Sequence, residues 1–174
     1  MTRNPPPAFA IGFASVHDAP AMAALSRDAI EHGLTWRYRT SRMAQFAGDP
    51  HCVALVGKAG DAFAGFAVMQ FHDERAHLVL LAVQPAWRRR GLGRALVTWL
   101  LQSARTAGVA SVHVELREGN RVALALYRDA GFVPSLRMAG YYEGKENAVR
   151  MLLMLRTPGE SLPGWELPAA FRRR

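Results

Sequence analysis

The chain has 174 residues, half of them hydrophobic, and its 22 basic and 14 acidic side chains leave a formal net charge of +8. This length allows one domain with its own buried core, and the composition excludes an intrinsically disordered chain. The positive charge favours an anionic ligand, but it does not separate a small phosphorylated molecule from nucleic acid.

The hydrophobic pattern predicts one domain over residues 8–156, between an extended lead-in of residues 1–7 and a tail of residues 157–174. The predicted strands are residues 9–16, 51–57, 62–71, 77–83, 111–116, 132–138 and 148–156. The predicted helices are one capped by Asp18 and running to about residue 32, residues 35–47, residues 91–107, and one capped by Asn120 and ending at residue 130.

The sequence shows no signal for export, membrane insertion or disulfide bonding. Cys52 is the only cysteine, and we interpret it as a small buried residue on a strand rather than a nucleophile. No apolar stretch approaches the roughly 18 residues of a membrane span. The six histidines lack a metal-ligand spacing such as H-E-x-x-H. We therefore expect a cytoplasmic protein that contacts no membrane and holds no metal.

The most informative stretch is residues 84–96, Q-P-A-W-R-R-R-G-L-G-R-A-L, between an apolar strand and an amphipathic helix. The first N–H groups of a helix have no partner within the helix, and the helix dipole favours an anion there. Gly91 and Gly93 lack a Cβ atom, so a pyrophosphate can approach the backbone closely. We interpret the turn as an anion site; the alternative is an exposed basic turn that merely tolerates glycine.

The pattern Arg88-x-x-Gly91-x-Gly93 resembles the acetyl-CoA signature of GNAT-type N-acetyltransferases, (Arg/Gln)-x-x-Gly-x-(Gly/Ala). Asn120 followed by Tyr127, and then a Gly-Phe pair at 131–132, extend the resemblance. It is dense from about residue 77 to residue 155 and closest to the subgroup that acetylates the N-terminal alanine of a bacterial ribosomal protein. It implies an α/β (α+β) single domain with a mixed, mostly antiparallel twisted sheet of about seven strands and about four flanking helices.

In this family the turn wraps the pyrophosphate of coenzyme A, and the end of the preceding strand holds the pantetheine arm. The resemblance therefore implies that acetyl-CoA is the co-substrate. The residues expected to bind it are Leu81, Ala82, Val83, Arg88, Arg89, Arg90, Gly91, Leu92, Gly93, Arg94 and Asn120. Two of these have alternatives, since Arg88 could orient the turn and Asn120 could cap a helix.

Glu115 and Tyr127 are the candidate catalytic residues. Glu115 lies on the strand face opposite Val114 and Leu116, where partial burial would raise its pKa into the range of a useful base. The resemblance also implies a catalytic glutamate at this position, acting directly or through water. The phenol of Tyr127 suits a proton donor to a departing thiolate. The alternatives are a solvent-facing glutamate and a packed aromatic ring, and His113 is a weaker candidate proton carrier on the Glu115 face.

Tyr141 and Tyr142 are expected to line the acceptor groove, unless they only pack in the last strands. The expected acceptor is an amine, either a peptide N-terminus or a small molecule. The basic segment 37–39, Arg-Tyr-Arg, departs from the subgroup's pattern and suits an acidic peptide or a small anionic amine. A non-catalytic RNA- or ribosome-binding module is the alternative of another class, and both a monomer and a homodimer remain open.

Overall fold

Residues 9–156 are described by a computed structural model, so the predicted lead-in and tail lie outside the described residues. Its strands are β1 Phe9–Phe13, β2 Cys52–Ala59, β3 Ala62–Phe71, β4 Arg75–Val83, β5 Ser111–Arg117, β6 Val133–Tyr142 and β7 Glu146–Met154. Its α-helices are α1 Ala19–Leu25, α2 Thr40–Gly48, α3 Leu92–Thr106 and α4 Arg121–Asp129.

The strands form one seven-stranded sheet in the order β1-β2-β3-β4-β5-β7-β6. Only β4 and β5 pair in parallel within this sheet, and α3 supplies the crossover between them. The other neighbouring strands pair antiparallel. The predicted fold class, with its mixed and mostly antiparallel sheet, is therefore confirmed.

Apolar side chains fill both faces of the sheet. On one face, Leu96 and Leu100 of α3 share a buried cluster with Val114 of β5. On the other face, Met22 of α1 shares a second cluster with Phe66 of β3. Helices cover both faces, which leaves the strand ends and the gap between diverging strands as places for a ligand.

Strand β4 contains a β-bulge. Leu78 pairs with Met69 of β3 and Leu80 pairs with Val68, so Val79 is an extra residue on β4. Leu78 belongs to the cluster under α3, whereas Leu80 belongs to the cluster under α1. The bulge thus shifts the alternation of β4 by one residue, so that even-numbered side chains face one side of the sheet before it and the other side after it. It also bends the strand, as bulges beside binding sites commonly do.

Strands β4 and β5 separate directly after this point. Their parallel pairing runs from Arg75 opposite Ser111 to Leu78 opposite Val114, and within residues 9–156 it goes no further. Residues 79–83 therefore pair with β3 on one side and present an open edge on the side of β5, where the peptide groups can bind an extended ligand.

The first strand ends at Phe13 rather than at residue 16, so that predicted boundary is wrong. Asp18 occupies the N-cap position of α1, as predicted, but its side chain makes no capping bond to the helix. Its carboxylate instead accepts hydrogen bonds from the backbone N–H and the hydroxyl of Ser15, both at 2.9 Å. These bonds hold a short 3-10 turn, Val16–Asp18, between strand and helix.

The first helix changes type before its predicted end, and the second begins later than predicted. α1 ends at Leu25 and continues as a π-helical turn, Ser26–Ile30, which Glu31 closes by donating its N–H to the carbonyl of Ser26 at 2.8 Å. α2 begins at Thr40 rather than residue 35. The N–H groups of residues 35, 37 and 38 donate to the carboxylates of Glu143 and Glu31, and these bonds fix the segment that precedes α2.

Candidate active site

The N-terminus of α3 is fixed over the sheet by the side chain of Leu92, which is 1% exposed. It lies against Gly57 and Gly65, which face each other on β2 and β3. A Cβ atom on Gly57 would lie 2.6 Å from Leu92 Cδ1, and one on Gly65 would lie 2.7 Å from the carbonyl oxygen of Ala82. Because its side chain belongs to the core, Leu92 has only its backbone N–H to offer a cofactor.

The turn before α3 exposes a run of peptide N–H groups. Arg89 and Gly91 both have left-handed backbone conformations, with φ of 62° and 88°. The N–H groups of residues 89–94 have no hydrogen-bond partner among the described residues. Consecutive free N–H groups at a helix N-terminus make a concave site for an anion, and the helix dipole adds to the attraction.

Gly93 keeps the space beside these N–H groups open. A Cβ atom there would lie 3.7 Å from the side chain of Leu126 in α4 and 3.8 Å from that of Val83 at the end of β4. Such a methyl group would sit without a clash, but it would occupy the opening between β4 and α4. The turn therefore fits a pyrophosphate on two counts, its free donors and its missing side chain.

Three of the four arginines within residues 88–94 make different contacts. Arg88 donates from Nε to the carbonyl oxygen of Val83 at 3.0 Å, so it ties the turn to the strand end, which is the alternative role considered for it. Arg90 stacks over the ring of Trp87 at 5.0 Å, and Arg94 pairs with Asp129 of α4 at 3.1 Å. The charge of Arg94 is thus partly neutralised by α4 rather than devoted to the turn.

Asn120 caps α4, as predicted. Its Oδ1 accepts a hydrogen bond from the backbone N–H of Ala123 at 3.1 Å. Its side-chain NH₂ makes no hydrogen bond with residues 9–156, which leaves the amide hydrogens able to serve a ligand as well.

Glu115 lies on β5 between the charges of two neighbouring strands. One carboxylate oxygen accepts a hydrogen bond from Arg150 Nε of β7 at 2.7 Å, and the other contacts Nε2 of His77 on β4. Its side chain is only 10% exposed. His113, on the same face of β5, contacts the hydroxyl of Ser111 at 3.1 Å instead. The histidine that reaches Glu115 is thus His77, and His113 does not take that place.

The predicted direction of the Glu115 pKa is wrong. Burial does raise the pKa, but the hydrogen bonds to His77 and Arg150, the charge of Arg150 and the charge that His77 carries when it is protonated outweigh burial and lower the pKa to about 2. Such a carboxylate is a poor proton acceptor. Moving a proton to it from an α-amino group of pKa about 8 crosses about 6 pH units, or about 8 kcal/mol.

Tyr127 is buried at 3% exposure and packs edge-to-face on Phe132, with ring centroids 5.5 Å apart. Burial, with a contribution from Tyr142, raises the pKa of Tyr127 well above its ordinary value. The hydroxyl makes no hydrogen bond with the described residues, so this group is a protonated phenol at neutral pH with its proton still to give.

Tyr141 and Tyr142 end β6, and their rings meet edge-to-face at 5.0 Å. Burial and the nearby charge of Glu115 raise the pKa of both, that of Tyr142 to about 12. The guanidinium of Arg117 lies 5.6 Å from the Tyr142 ring centroid. The structure therefore brings these tyrosines into the surroundings of Glu115, while leaving Tyr141 48% exposed at the surface.

The segment after α1 is tied to the β6–β7 hairpin and to β5. The bonds are Thr35 N–H to Glu143 Oε1 at 2.9 Å, Lys145 Nζ to the Gly33 carbonyl at 3.0 Å, and Arg117 to the carbonyls of Ile30 at 2.8 Å and His32 at 2.7 Å. Because Arg117 shares the face of β5 on which Glu115 lies, these contacts hold residues 30–35 as a wall beside that face.

Sequence reasoning missed Glu31 as an organiser of this wall. Its carboxylate is 6% exposed and accepts hydrogen bonds from the N–H groups of Arg37 at 2.6 Å and Tyr38 at 3.1 Å. A glutamate in a helical pattern carries no signal of such a role. Arg117 could have been predicted as a residue of the site, because it lies two positions after Glu115 and both side chains are therefore on one face of the strand.

A family model described as the acetyltransferase (GNAT) family matches residues 19–132. The chain belongs to this family. It is 34% identical over 148 residues to ribosomal protein bS18-alanine N-acetyltransferase of Salmonella typhimurium LT2, a match that covers 82% of this chain and 95% of that protein. The protein is therefore an N-acetyltransferase.

Solved structures agree on this fold. The crystal structure of the Escherichia coli ribosomal-protein-S18-alanine N-acetyltransferase superposes with a TM-score of 0.76 at 30% identity, covering 89% of this chain and 99% of that one. A putative acetyltransferase of Salmonella typhimurium solved with acetyl-CoA gives a TM-score of 0.74 at 23% identity, over 89% and 97% of the two chains, which shows the fold alone.

Some features of residues 9–156 take no part in this site. Cys52 is half-buried, and burial together with Asp49 raises the pKa of its thiol to about 11, which suits a packing role. No helix in these residues is both long enough and apolar enough to cross a membrane. The same residues contain no group of three or more side chains arranged to hold a metal ion.

Proposed function

We propose that this N-acetyltransferase uses acetyl-CoA to acetylate a primary amine, and that the amine is the N-terminal amino group of a protein. The observation that carries the proposal is the run of free N–H groups at 89–94 beside the open edge of β4. Acetyl-CoA, when bound, supplies an activated acetyl thioester. The pyrophosphate would lie on the turn, and residues 81–83 would hold the pantetheine arm through their backbone.

The proposal gives each candidate residue a task. A backbone N–H on the open edge of β4, within residues 79–83, donates to the thioester carbonyl, where negative charge develops during transfer. Tyr127 protonates the departing sulfur. Glu115 supplies the negative charge that draws a proton from the amine, and its low pKa means that it acts through a neighbouring proton acceptor. Tyr141 and Tyr142 line the entry of the acceptor.

Two arguments favour a protein N-terminus as acceptor. The relatives from Salmonella and Escherichia coli are named for the alanine of ribosomal protein bS18, and they match most of this chain. An α-amino group, with an ordinary pKa of about 8, also needs less help to deprotonate than a lysine side chain near 10.4. The proposal therefore assigns residues 8–156 as the catalytic domain, with a cytoplasmic ribosomal protein as the first candidate substrate.

The segment 37–39 favours a second candidate. Arg37 and Arg39 are exposed just after this wall in the chain, and Arg37 is paired only loosely, with Glu143 at 3.8 Å. Two such charges suit an acidic peptide or a small anionic amine.

A thiol-release assay with acetyl-CoA and a panel of amines tests these assignments. The panel contains a peptide beginning with alanine, the same peptide with a blocked N-terminus, a variant with acidic residues after the alanine, free lysine and small anionic amines. The proposal predicts turnover with the free N-termini and none with the blocked peptide. Turnover confined to small amines contradicts protein acetylation. Tight, salt-sensitive binding of polynucleotide without any turnover would indicate the nucleic-acid module instead.

A further inference from the structure

His77 is positioned to act with Glu115, although it comes from the neighbouring strand. Its Nε2 contacts Glu115 Oε2, and its side chain is 37% exposed, so the ring reaches both the carboxylate and solvent. Glu115 is fixed from the other side by Arg150 at 2.7 Å. The three residues form a continuous chain of contacts across β4, β5 and β7.

The carboxylate determines which ring nitrogen is basic. An ionised carboxylate can only accept hydrogen bonds, so the hydrogen of neutral His77 lies on Nε2. The lone pair is then on Nδ1, which makes no hydrogen bond with residues 9–156. A carboxylate that holds one imidazole nitrogen and leaves the other free both orients the ring and stabilises it once it becomes charged.

We propose that His77 is the group that takes the proton from the acceptor amine, and that Glu115 and Arg150 are positioning residues that act through it. This inference rests on the proposed function. It assigns the deprotonation step to a side chain with a free ring nitrogen rather than to a carboxylate whose two oxygens are already engaged.

Protons and bonds balance in this scheme. The ammonium form of the acceptor loses one proton to Nδ1 of His77, which later releases it to solvent. The neutral nitrogen forms its bond to the acetyl carbon, and the bond from that carbon to sulfur breaks. Tyr127 gives its hydroxyl proton to the sulfur and regains a proton from the new amide nitrogen.

Other charged groups surround His77 and enter any pH profile. On β5 they are Glu115 and His113, with His113 directly opposite His77 in the strand register. Arg75 lies two residues earlier on β4, and Arg150 faces the pair from β7. On the π-helical turn Ser26–Ile30, which packs against β4, Arg27 and Asp28 pair with each other at the surface. Burial and the charges of Arg75 and Arg150 lower the pKa of His113, against an opposing effect of Glu115, which favours its neutral form.

Chemical rescue distinguishes a base from a structural residue. We expect His77→Ala to lower kcat for an alanine peptide by about 100-fold, within the range of general base catalysis. Added imidazole should restore a large part of the loss. The matched control is His113→Ala, which removes a histidine of the same face that does not touch Glu115. It should retain kcat within about threefold and show no response to imidazole.

A measurement without acetyl-CoA keeps the inference testable on its own. Nitrogen NMR of the full chain should show His77 protonated on Nε2, and Glu115→Gln should change that tautomer balance. The inference is overturned if the His77→Ala enzyme keeps more than a third of the wild-type kcat. It is also overturned if that variant folds but is not rescued by imidazole, or if Glu115→Gln leaves the tautomer of His77 unchanged. Wild-type protein that releases no thiol with any amine overturns the proposed function instead, while the tautomer result still reports on the pair.

Discussion

The buried carboxylate of Glu115 makes the stability of this protein depend on pH. Its pKa falls from an ordinary 4.5 to about 2 in the folded protein, because the bonds to His77 and Arg150 outweigh the opposing effect of burial. A difference of about 2.5 pH units, at about 1.4 kcal/mol each, is about 3 kcal/mol. Because the folded pKa is the lower one, this stabilisation is complete above pH 4.5 and is lost as the pH falls toward 2.

The variant Glu115→Gln removes the charge while keeping the size of the side chain. We expect it to lower the free energy of unfolding by up to about 3 kcal/mol at pH 7, with a smaller difference from wild type at each step down to pH 3. Urea unfolding at pH 7, 5, 4 and 3 measures this. Glu74→Gln is the control, since Glu74 is 72% exposed and its change should stay within about 0.5 kcal/mol at every pH. A Glu115→Gln difference that is equally large at pH 7 and pH 3 would refute the assignment of the charge pairing.

Two further substitutions test the acid and the wall of the acceptor space. Tyr127→Phe should lower kcat by about 100-fold. The affinity for acetyl-CoA and the free energy of unfolding should change little, since the lost hydroxyl makes no hydrogen bond with residues 9–156. Steady-state kinetics and calorimetry measure these effects, and an unchanged kcat would show that Tyr127 is not the acid. Glu31→Gln deletes one of two buried acceptor oxygens and should cost about 1–3 kcal/mol in urea unfolding. It should also raise KM for the peptide more than KM for acetyl-CoA, and equal effects on both would contradict a role on the acceptor side.

Much of this site could be predicted from the sequence because its signals are local. Gly91 and Gly93 stand between an apolar strand and an amphipathic helix, and the structure places them at the N-terminus of α3 with free N–H groups around them. The alternation around Glu115 correctly predicted its strand face. The cap at Asn120 also follows from neighbouring residues alone.

What the sequence could not reveal depends on strand neighbours and on long-range contacts. The pKa of Glu115 is set by His77, 38 positions earlier, and by Arg150, 35 positions later. Nothing local says that β4 and β7 flank β5. The same holds for the position of the segment before α2, because Glu143 binds the N–H of Thr35 across 108 positions. Periodicity predicts elements, whereas these partners exist only once the sheet order is known.

Calorimetric titration of acetyl-CoA into wild-type protein and into Gly93→Val tests the central claim most directly. The added Cβ atom would lie 3.7 Å from the Leu126 side chain and 3.8 Å from the Val83 side chain, which are ordinary contact distances, so we expect the variant to fold, and its thermal unfolding checks this. The account predicts saturable binding to the wild-type protein and at least about tenfold weaker binding to the folded variant, a loss of about 1.4 kcal/mol. Failure of the wild-type protein to bind acetyl-CoA, or equal affinity in the two proteins, would contradict it.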